Sequence, residues 1–301
     1  MSVAPGYVAL LASAELTWRV RAAYARLRAC DLCPRTCGVD RTAGERGSCR
    51  IGSRAVVAAA HPHFGEEAPL VGSGGSGTVF FAGCNLHCLY CQNHDISQSA
   101  EGDELEPEEL AAVMLRLQDV GCHNINLVSP SHVVPQMMAA VLIAAQAGLR
   151  LPLVYNSGGY DSLQTLALLD GVVDIYMPDA KYEDAGIGRR LSGVPNYPTV
   201  NRAVMAEMHR QVGDLRLNEH GIAQRGLLVR HLVLPARLAG TARTMAWIAR
   251  EISPRTSVNL MAHYRPSYRA PRDPALNRRP TAAEYQEALA AAAAAGLQHL
   301  D

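Results

Sequence analysis

The chain has 301 residues, 49% hydrophobic and 19% charged, enough apolar material for one large core or two ordinary ones, which excludes a disordered chain. The 28 Lys and Arg balance 28 Asp and Glu, so net charge draws the chain neither to nucleic acid nor to an anionic membrane. No apolar run reaches the roughly 20 residues of a membrane span, and no basic segment precedes the short apolar stretch Val8 to Ala12, so neither an anchor nor a secretory signal is expected.

In chain order, the first expected element is an Arg-bearing helix over Ala14 to Arg28. It leads into CDLCPRTCGVDRTAGERGSC, whose Gly, Pro and Thr predict a loop held by its cysteines. A short strand follows at Ala55 to Ala60. The run GSGGSG at 72–77 reads equally as a flexible linker or as a close backbone approach. From residue 78, short apolar runs alternate with helical patterns. The runs are 78–83, 124–129, 151–157, 173–179, 226–234 and 257–262. The helices are expected at Pro107–Val120, Val133–Ala147, Ser162–Leu169, Pro198–Val212, Thr241–Ile252 and Thr281–Ala295. Such alternation predicts βαβ units on a parallel sheet. The fold class is therefore α/β, a partial (β/α)6 TIM-like barrel with a small cysteine-rich N-terminal segment. Residues 1–70 form the helix and four-cysteine segment, and 71–301 the barrel. An open doubly wound sheet is the alternative.

In a parallel barrel, chemistry gathers at the carboxyl ends of the strands. Those ends carry Cys84, then Ser129, Ser131 and His132, then Asn156 and Ser157, then Asp179 and Lys181, then His263 and Tyr264. Of the 28 basic residues a single one, Lys181, is lysine. A chain that uses Arg for every other cation has a use for one ammonium that a guanidinium does not meet.

The chain has 8 cysteines. Without a secretory signal they belong in a reducing compartment, the cytoplasm, where thiols favour metals or catalysis over disulfides. Cys84, Cys88 and Cys91 stand in a loop after a strand. Three thiolates can face one centre and leave a position open to a substrate or cofactor. Alternatively, His87, His94 or a distant cysteine closes a structural site. Cys30, Cys33, Cys37 and Cys49 are a second group, suited to zinc or to an auxiliary iron–sulfur cluster. Cys122, Met137, Met138, Met205 and Met208 read as packing, and His61 and His63 as residues without a ligand role. The Arg-rich stretch 266–280 reads as a solvated loop or as a lid over the barrel mouth.

The C-x3-C-x2-C spacing after an apolar strand, with Tyr90 before the third cysteine, resembles the signature of the radical S-adenosylmethionine (SAM) enzymes. The phrase GCNLHCLYCQN resembles the pyruvate formate-lyase activating enzyme branch. So do NINLVSPSHVVP, PLVYNSGGYDS, VDIYMPDAKY, RGLLVRHLVLP and NLMAHYRP, over about residues 30–265. The resemblance implies that Cys84, Cys88 and Cys91 ligate a [4Fe–4S] cluster, with SAM on its fourth iron. Tyr90 would lie against the adenine. Ser129, Ser131 and His132 stand where activases carry a G-G-E-like turn for the SAM amino group, and GSGGSG stands where they carry D-G-P-G. Asn156 and Ser157 would sit near the ribose or carboxylate. Asp179 and Lys181 match a D-x-K element, with the lysine pairing the SAM carboxylate. Arg230 and His231 point to opposite faces of one strand, and His231 is taken as the cofactor contact. The implied activity is reductive SAM cleavage to a 5′-deoxyadenosyl radical that abstracts hydrogen, as from a glycine of a partner enzyme. Flavodoxin or ferredoxin would supply the electron. The same chemistry on a small molecule or another macromolecule, and a non-catalytic iron–sulfur or zinc protein, are the alternatives.

Overall fold

A computed structural model describes residues 4–300. Its strands are β1 (Ala55–His63), β2 (Ser76–Phe81), β3 (Asp103–Leu105), β4 (Ile125–Val128), β5 (Leu153–Ser157), β6 (Ile175–Pro178), β7 (Arg216–Leu217), β8 (Ala223–Leu232), β9 (Ser257–Met261) and β10 (His299–Leu300). Its helices are α1 (Gly6–Ala12), α2 (Glu15–Ala25), α3 (Ala68–Val71), α4 (His94–Ser97), α5 (Pro107–Asp119), α6 (Val134–Gln146), α7 (Leu163–Leu169), α8 (Ala185–Ser192), α9 (Tyr197–Val212), α10 (Thr241–Trp247) and α11 (Ala282–Ala294). Among the described residues no helix is long and apolar enough to cross a membrane.

The strands run in the order β10-β9-β8-β6-β5-β4-β2-β1-β3, with β7 paired to β8. Pairing is parallel from β2 through to β10, while β1 runs antiparallel to β2 and β3 antiparallel to β1. The order is a path and not a ring, so this is a partial barrel. Its central strands β2, β4, β5, β6, β8 and β9 are the six expected from the apolar runs.

The two-residue period of a strand divides the sheet. One face presents Leu127, Leu153, Tyr155, Tyr176, Leu227, Val229 and Leu260 to the main core under the helices. The other carries Thr78, Asn126, Asn156, Met177 and Arg230. Helix α5 starts at Pro107 with a Glu106–Glu109 capping box, which fixes its first turn. Helix α6 is apolar nearly all round, because α2, α5 and the sheet enclose it.

The N-terminal helices belong to the same core. Tyr7, Leu16 and Ala23 pack into it, and burying Leu16 alone contributes about 2 kcal/mol. The Gly6 amide donates to Asp174 Oδ1 (2.9 Å), and the Tyr7 hydroxyl to the Leu151 carbonyl (2.9 Å). The expected helix from Ala14 is therefore preceded by another.

The run at 72–77 is a close backbone approach. A Cβ on Gly74 would lie 2.0 Å from the Gly121 carbonyl oxygen, which no side chain tolerates. Just before it, Leu70 of α3 packs with Val154, Ile175, Met177 and Leu228 on the inner face of the sheet. Glu67 accepts from Asn259 on β9 (3.1 Å). The segment thus plugs the inner face and reaches across to the far side of the sheet. Cys122, Met137, Met138, Met205 and Met208 are buried packing residues.

Candidate active site

Beyond β2 the chain turns through Gly83 into the cysteine loop. Gly83 has φ +74°, and a Cβ there would stand 2.5 Å from the Cys49 carbonyl oxygen. Glycine is needed on both counts. Arg35, from the N-terminal cysteine segment, donates to the Asn85 carbonyl (2.8 Å) and braces the loop from outside. Cys84, Cys88 and Cys91 line one cavity of ≈ 170 Å³ with Ser129, Asn156, Ser157, Asp179, Lys181 and Arg230. An adjoining cavity of ≈ 200 Å³ shares Cys88, Cys91, Asp179, Lys181 and Arg230 and extends to Tyr90, Met261 and His263. A larger cavity of ≈ 420 Å³, between α10 and α11, contains none of these groups.

Each thiol of the loop has a polar neighbour. The Leu86 amide donates to Cys84 Sγ (3.4 Å), Ser192 Oγ is 2.9 Å from Cys88 Sγ, and Ser97 Oγ is 3.2 Å from Cys91 Sγ. Burial pushes the Cys84 thiol up to about 12 and raises Cys88 as well. Thiolates here therefore need added positive charge, which a bound metal cluster provides. Among the described residues no three His, Cys, Asp or Glu side chains converge closely enough to share one metal ion. Three thiols around one cavity suit a multi-iron cluster that keeps a position open.

The charges on the cavity wall are arranged around Asp179. Lys181 Nζ donates to its Oδ2 (2.6 Å) and Arg230 Nε to its Oδ1 (3.1 Å). Arg230 Nη2 also donates to Asn156 Oδ1 (2.7 Å). Burial disfavours the Asp179 charge, but Lys181 and Arg230 hold its carboxyl below the usual range. Burial likewise works against the Lys181 ammonium, and Asp179 holds it well above its usual value. Lys181 and Arg230 share Asp179, and Arg230 is also attracted by Glu66 and Glu67. Glu66 lies 3.9 Å from Arg230, and burial pushes its carboxyl up to about 7. Helix α9 fixes the D-x-K turn: the Lys181 amide donates to the Tyr197 hydroxyl (3.0 Å), and Asn201 Nδ2 donates to the Asp179 carbonyl (2.9 Å).

Not every expected site residue reaches the cavity. Ser129 lines it, in the left-handed region at φ 59°. Ser131 is buried beside Tyr155 and Asp161 instead. The His132 ring donates to the Ala82 carbonyl (2.9 Å) and faces the N-terminal cysteines. The sharp turn after Ser129 directs these two side chains away. Ser157 lines the cavity, but its hydroxyl donates to Asp161 (2.7 Å). His231 is turned the wrong way: Nδ1 lies 2.6 Å from the Ala180 carbonyl and Nε2 2.9 Å from Thr241 Oγ1 on α10. Strand alternation places it on the helix side of β8, and Arg230 on the cavity side.

Several groups escaped the sequence reading. The Tyr90 and Tyr182 hydroxyls are 2.6 Å apart, Tyr182 Oη lies 2.7 Å from Ser192 Oγ, and Ser192 meets Cys88. Ser192 ends α8, whose two internal glycines hid it. The Asp184 side chain capping the Ile187 amide and Gly193 just past the end were its only signals. The 266–280 stretch packs on the cysteine loop: Ala270 and Leu276 are buried with Tyr90, and the Arg269 amide donates to the Leu89 carbonyl (2.9 Å).

The N-terminal cysteines Cys30, Cys33, Cys37 and Cys49 line an enclosed void with Arg41 and His132. A hydrogen-bonded chain joins them to the loop. The Ser48 amide donates to Cys37 Sγ (3.4 Å), and Ser48 Oγ is 2.8 Å from His87 Nε2. His87 Nδ1 is 3.1 Å from Gln98 Oε1, and Gln98 Nε2 donates to Ser97 Oγ (3.1 Å), the partner of Cys91.

The family model of the radical SAM superfamily matches residues 78–200. An uncharacterized protein of Methanocaldococcus jannaschii is 32% identical over 268 residues, 86% of this chain and 73% of that protein. A radical SAM methyltransferase from Sphaerobacter thermophilus has a similar fold, with TM-score 0.50 and 18% identity over 74% of this chain and 65% of that one. Streptococcus suis SuiB, solved with its precursor peptide SuiA, aligns with TM-score 0.46 and 10% identity over 69% of this chain and 43% of its own. The chain thus spans less than two thirds of the length of either solved protein.

Proposed function

The chain belongs to the radical SAM superfamily, and from that premise we propose that it cleaves SAM reductively at Cys84, Cys88 and Cys91 and takes hydrogen from a glycine of a partner polypeptide. The observation that carries the reading is the ≈ 170 Å³ cavity that three thiols share with Lys181, Arg230, Asn156 and Ser129. When bound there, a [4Fe–4S] cluster supplies the electron that splits SAM into methionine and a 5′-deoxyadenosyl radical.

The chain's own residues bind and orient. Lys181 gives one donor to Asp179 and keeps two for the SAM carboxylate, as a compact charge. Arg230 is committed to Asp179 and Asn156, so it holds the lysine's partner in place; Asp179 and Arg230 are positioning residues. Ser129 accepts from the SAM amino group, and the Asn156 amide faces the ribose or carboxylate. Tyr90, fixed through Tyr182, packs against the adenine. Phe81, Leu86 and Ile96 line the same cavity and exclude water from it.

Resemblance of GCNLHCLYCQN and D-x-K to the activating enzymes supports the glycine substrate, even though SPSH and GSGGSG replace two of their elements. The electron comes from a flavodoxin- or ferredoxin-class donor in a reducing cytoplasm, a setting supported by 8 cysteines, all of them free. The N-terminal quartet is a second metal site, apart from the cavity, for zinc or another cluster.

SAM binding to the anaerobically reconstituted protein tests the site. Lys181→Ala should weaken binding by about tenfold or more. Equal binding by wild type and variant would overturn the assignment of Lys181. For the substrate, a polypeptide deuterated at its glycine α-carbons should pass deuterium into 5′-deoxyadenosine. Turnover without that transfer would overturn the glycine reading.

A further inference from the structure

We propose that Gln98 and His87 are positioning residues that make Ser97 donate its hydroxyl hydrogen to Cys91, and so raise the reduction potential of the cluster held there. This rests on reading Cys84, Cys88 and Cys91 as cluster ligands. Of the three residues, Ser97 alone lines the cavity. The other two act through it.

Counting donors and acceptors fixes the direction of each bond. Two groups along the chain can only accept: the Leu86 carbonyl and, once it ligates iron, the Cys91 thiolate. Gln98 Nε2 donates to the Leu86 carbonyl (3.3 Å) and to Ser97 Oγ (3.1 Å). A reversed amide would set its oxygen against the Leu86 carbonyl oxygen, so that carbonyl holds the amide in this sense. Ser97 Oγ therefore accepts from Gln98, and its own hydrogen is left for Cys91 Sγ, 3.2 Å away. On the other side, Gln98 Oε1 lies 3.1 Å from His87 Nδ1 and takes a hydrogen from it. Neutral His87 is then the Nδ1–H tautomer, and its bare Nε2 accepts from Ser48 Oγ (2.8 Å).

The direction matters because Ser97 has a second choice. It lies on α4, and the Asn93 carbonyl one turn back takes its amide (2.9 Å). A serine hydroxyl in a helix can turn to that same carbonyl. With Gln98 donating to Ser97 Oγ, the hydroxyl keeps the rotamer that faces Cys91. A hydrogen bond to a ligand sulfur stabilises the more negative, reduced cluster, and a polarised chain strengthens its terminal bond.

The first test needs no metal, because the Leu86 carbonyl sets the chain whether or not iron is bound. Long-range proton–nitrogen NMR of the metal-free protein reads the His87 tautomer above the pH range in which histidine titrates. The proposal expects the hydrogen on Nδ1, and a hydrogen on Nε2 would overturn it. The second test is the midpoint potential of the reconstituted cluster, from redox titration followed by electron paramagnetic resonance. Ser97→Ala should lower the equilibrium constant for reduction by about threefold to tenfold. Ser97→Thr, which keeps the hydroxyl, should stay near wild type. Gln98→Met should lower the constant by less, and should add nothing in a Ser97→Ala background. An unchanged potential in Ser97→Ala would overturn the proposal. So would a Gln98→Met effect that persists in full without Ser97. A wild type that takes up no cluster would instead sink the reading of Cys84, Cys88 and Cys91, and the tautomer would still decide the chain.

Discussion

The cysteines at 84, 88 and 91 open onto a cavity of ≈ 170 Å³, whereas those at 30, 33, 37 and 49 close around a void of ≈ 10 Å³. The first group follows a central strand, so neighbouring strand ends bring Ser129, Asn156, Asp179 and Lys181 to the same wall. The second sits on a loop outside the sheet, with one buried cation, Arg41, for company. We read both as metal sites from thiol number and spacing. Only the space and charge beside the thiols say which can admit a second molecule.

The largest effects should separate the two groups cleanly. Cys88→Ala should lower SAM cleavage by more than about 100-fold. Cys37→Ser should leave SAM affinity within about threefold, because it touches no residue of the cavity. A 5′-deoxyadenosine assay of Cys88→Ala and isothermal titration of Cys37→Ser check this, and a Cys37→Ser protein that no longer binds SAM would break the comparison.

The next effect concerns the charged wall, which the quartet lacks. Asp179→Ala leaves the part-buried Lys181 and Arg230 without their shared carboxylate, and should cost about 1–3 kcal/mol in urea denaturation. Lys181→Met removes one charge of a pair still held by Arg230 and should cost less.

A smaller effect is set by pH. Burial holds His231 down to about 4. The unfolded chain then binds more protons than the folded one between about 6.5 and 4. Stability from this group is present above 6.5 and is lost as pH falls toward 4. His231→Asn should flatten that part of the stability profile by up to about 3 kcal/mol and leave SAM binding unchanged. A loss of SAM affinity in this variant would return His231 to the site.

Smallest is Ser192→Ala. It removes the hydroxyl 2.9 Å from Cys88 Sγ and breaks the link to Tyr182 and Tyr90. The midpoint potential of the cluster at Cys88 should fall by roughly tens of millivolts, since hydrogen bonds to cluster sulfurs favour the reduced state. Redox titration followed by electron paramagnetic resonance reads it.

The barrel was legible because its strands are short apolar runs separated by well-capped helices such as α5. The cysteine loop, Asp179 and Lys181 were legible because their spacing is local. What stayed hidden depends on contacts between distant segments. Alternation separates Arg230 from His231 but does not say which face is inner, since apolar residues flank both. Ser131 and His132 follow Ser129 closely in sequence, yet a left-handed turn sends them elsewhere. Glu66 and the plug around Leu70 gave no periodic signal, and a glycine run has the same composition whether it is a linker or a close approach. Ser192 lies at the end of a glycine-bearing helix and meets Cys88 only in three dimensions.

The central claim is that Cys84, Cys88 and Cys91 are the reactive group. It is tested most directly by reconstituting the protein anaerobically, reducing it with dithionite, adding SAM and measuring 5′-deoxyadenosine by mass, beside a Cys88→Ala control. The account predicts product in wild type and none in the control. A reducible cluster that yields no 5′-deoxyadenosine, and whose spectrum SAM leaves unchanged, would contradict it.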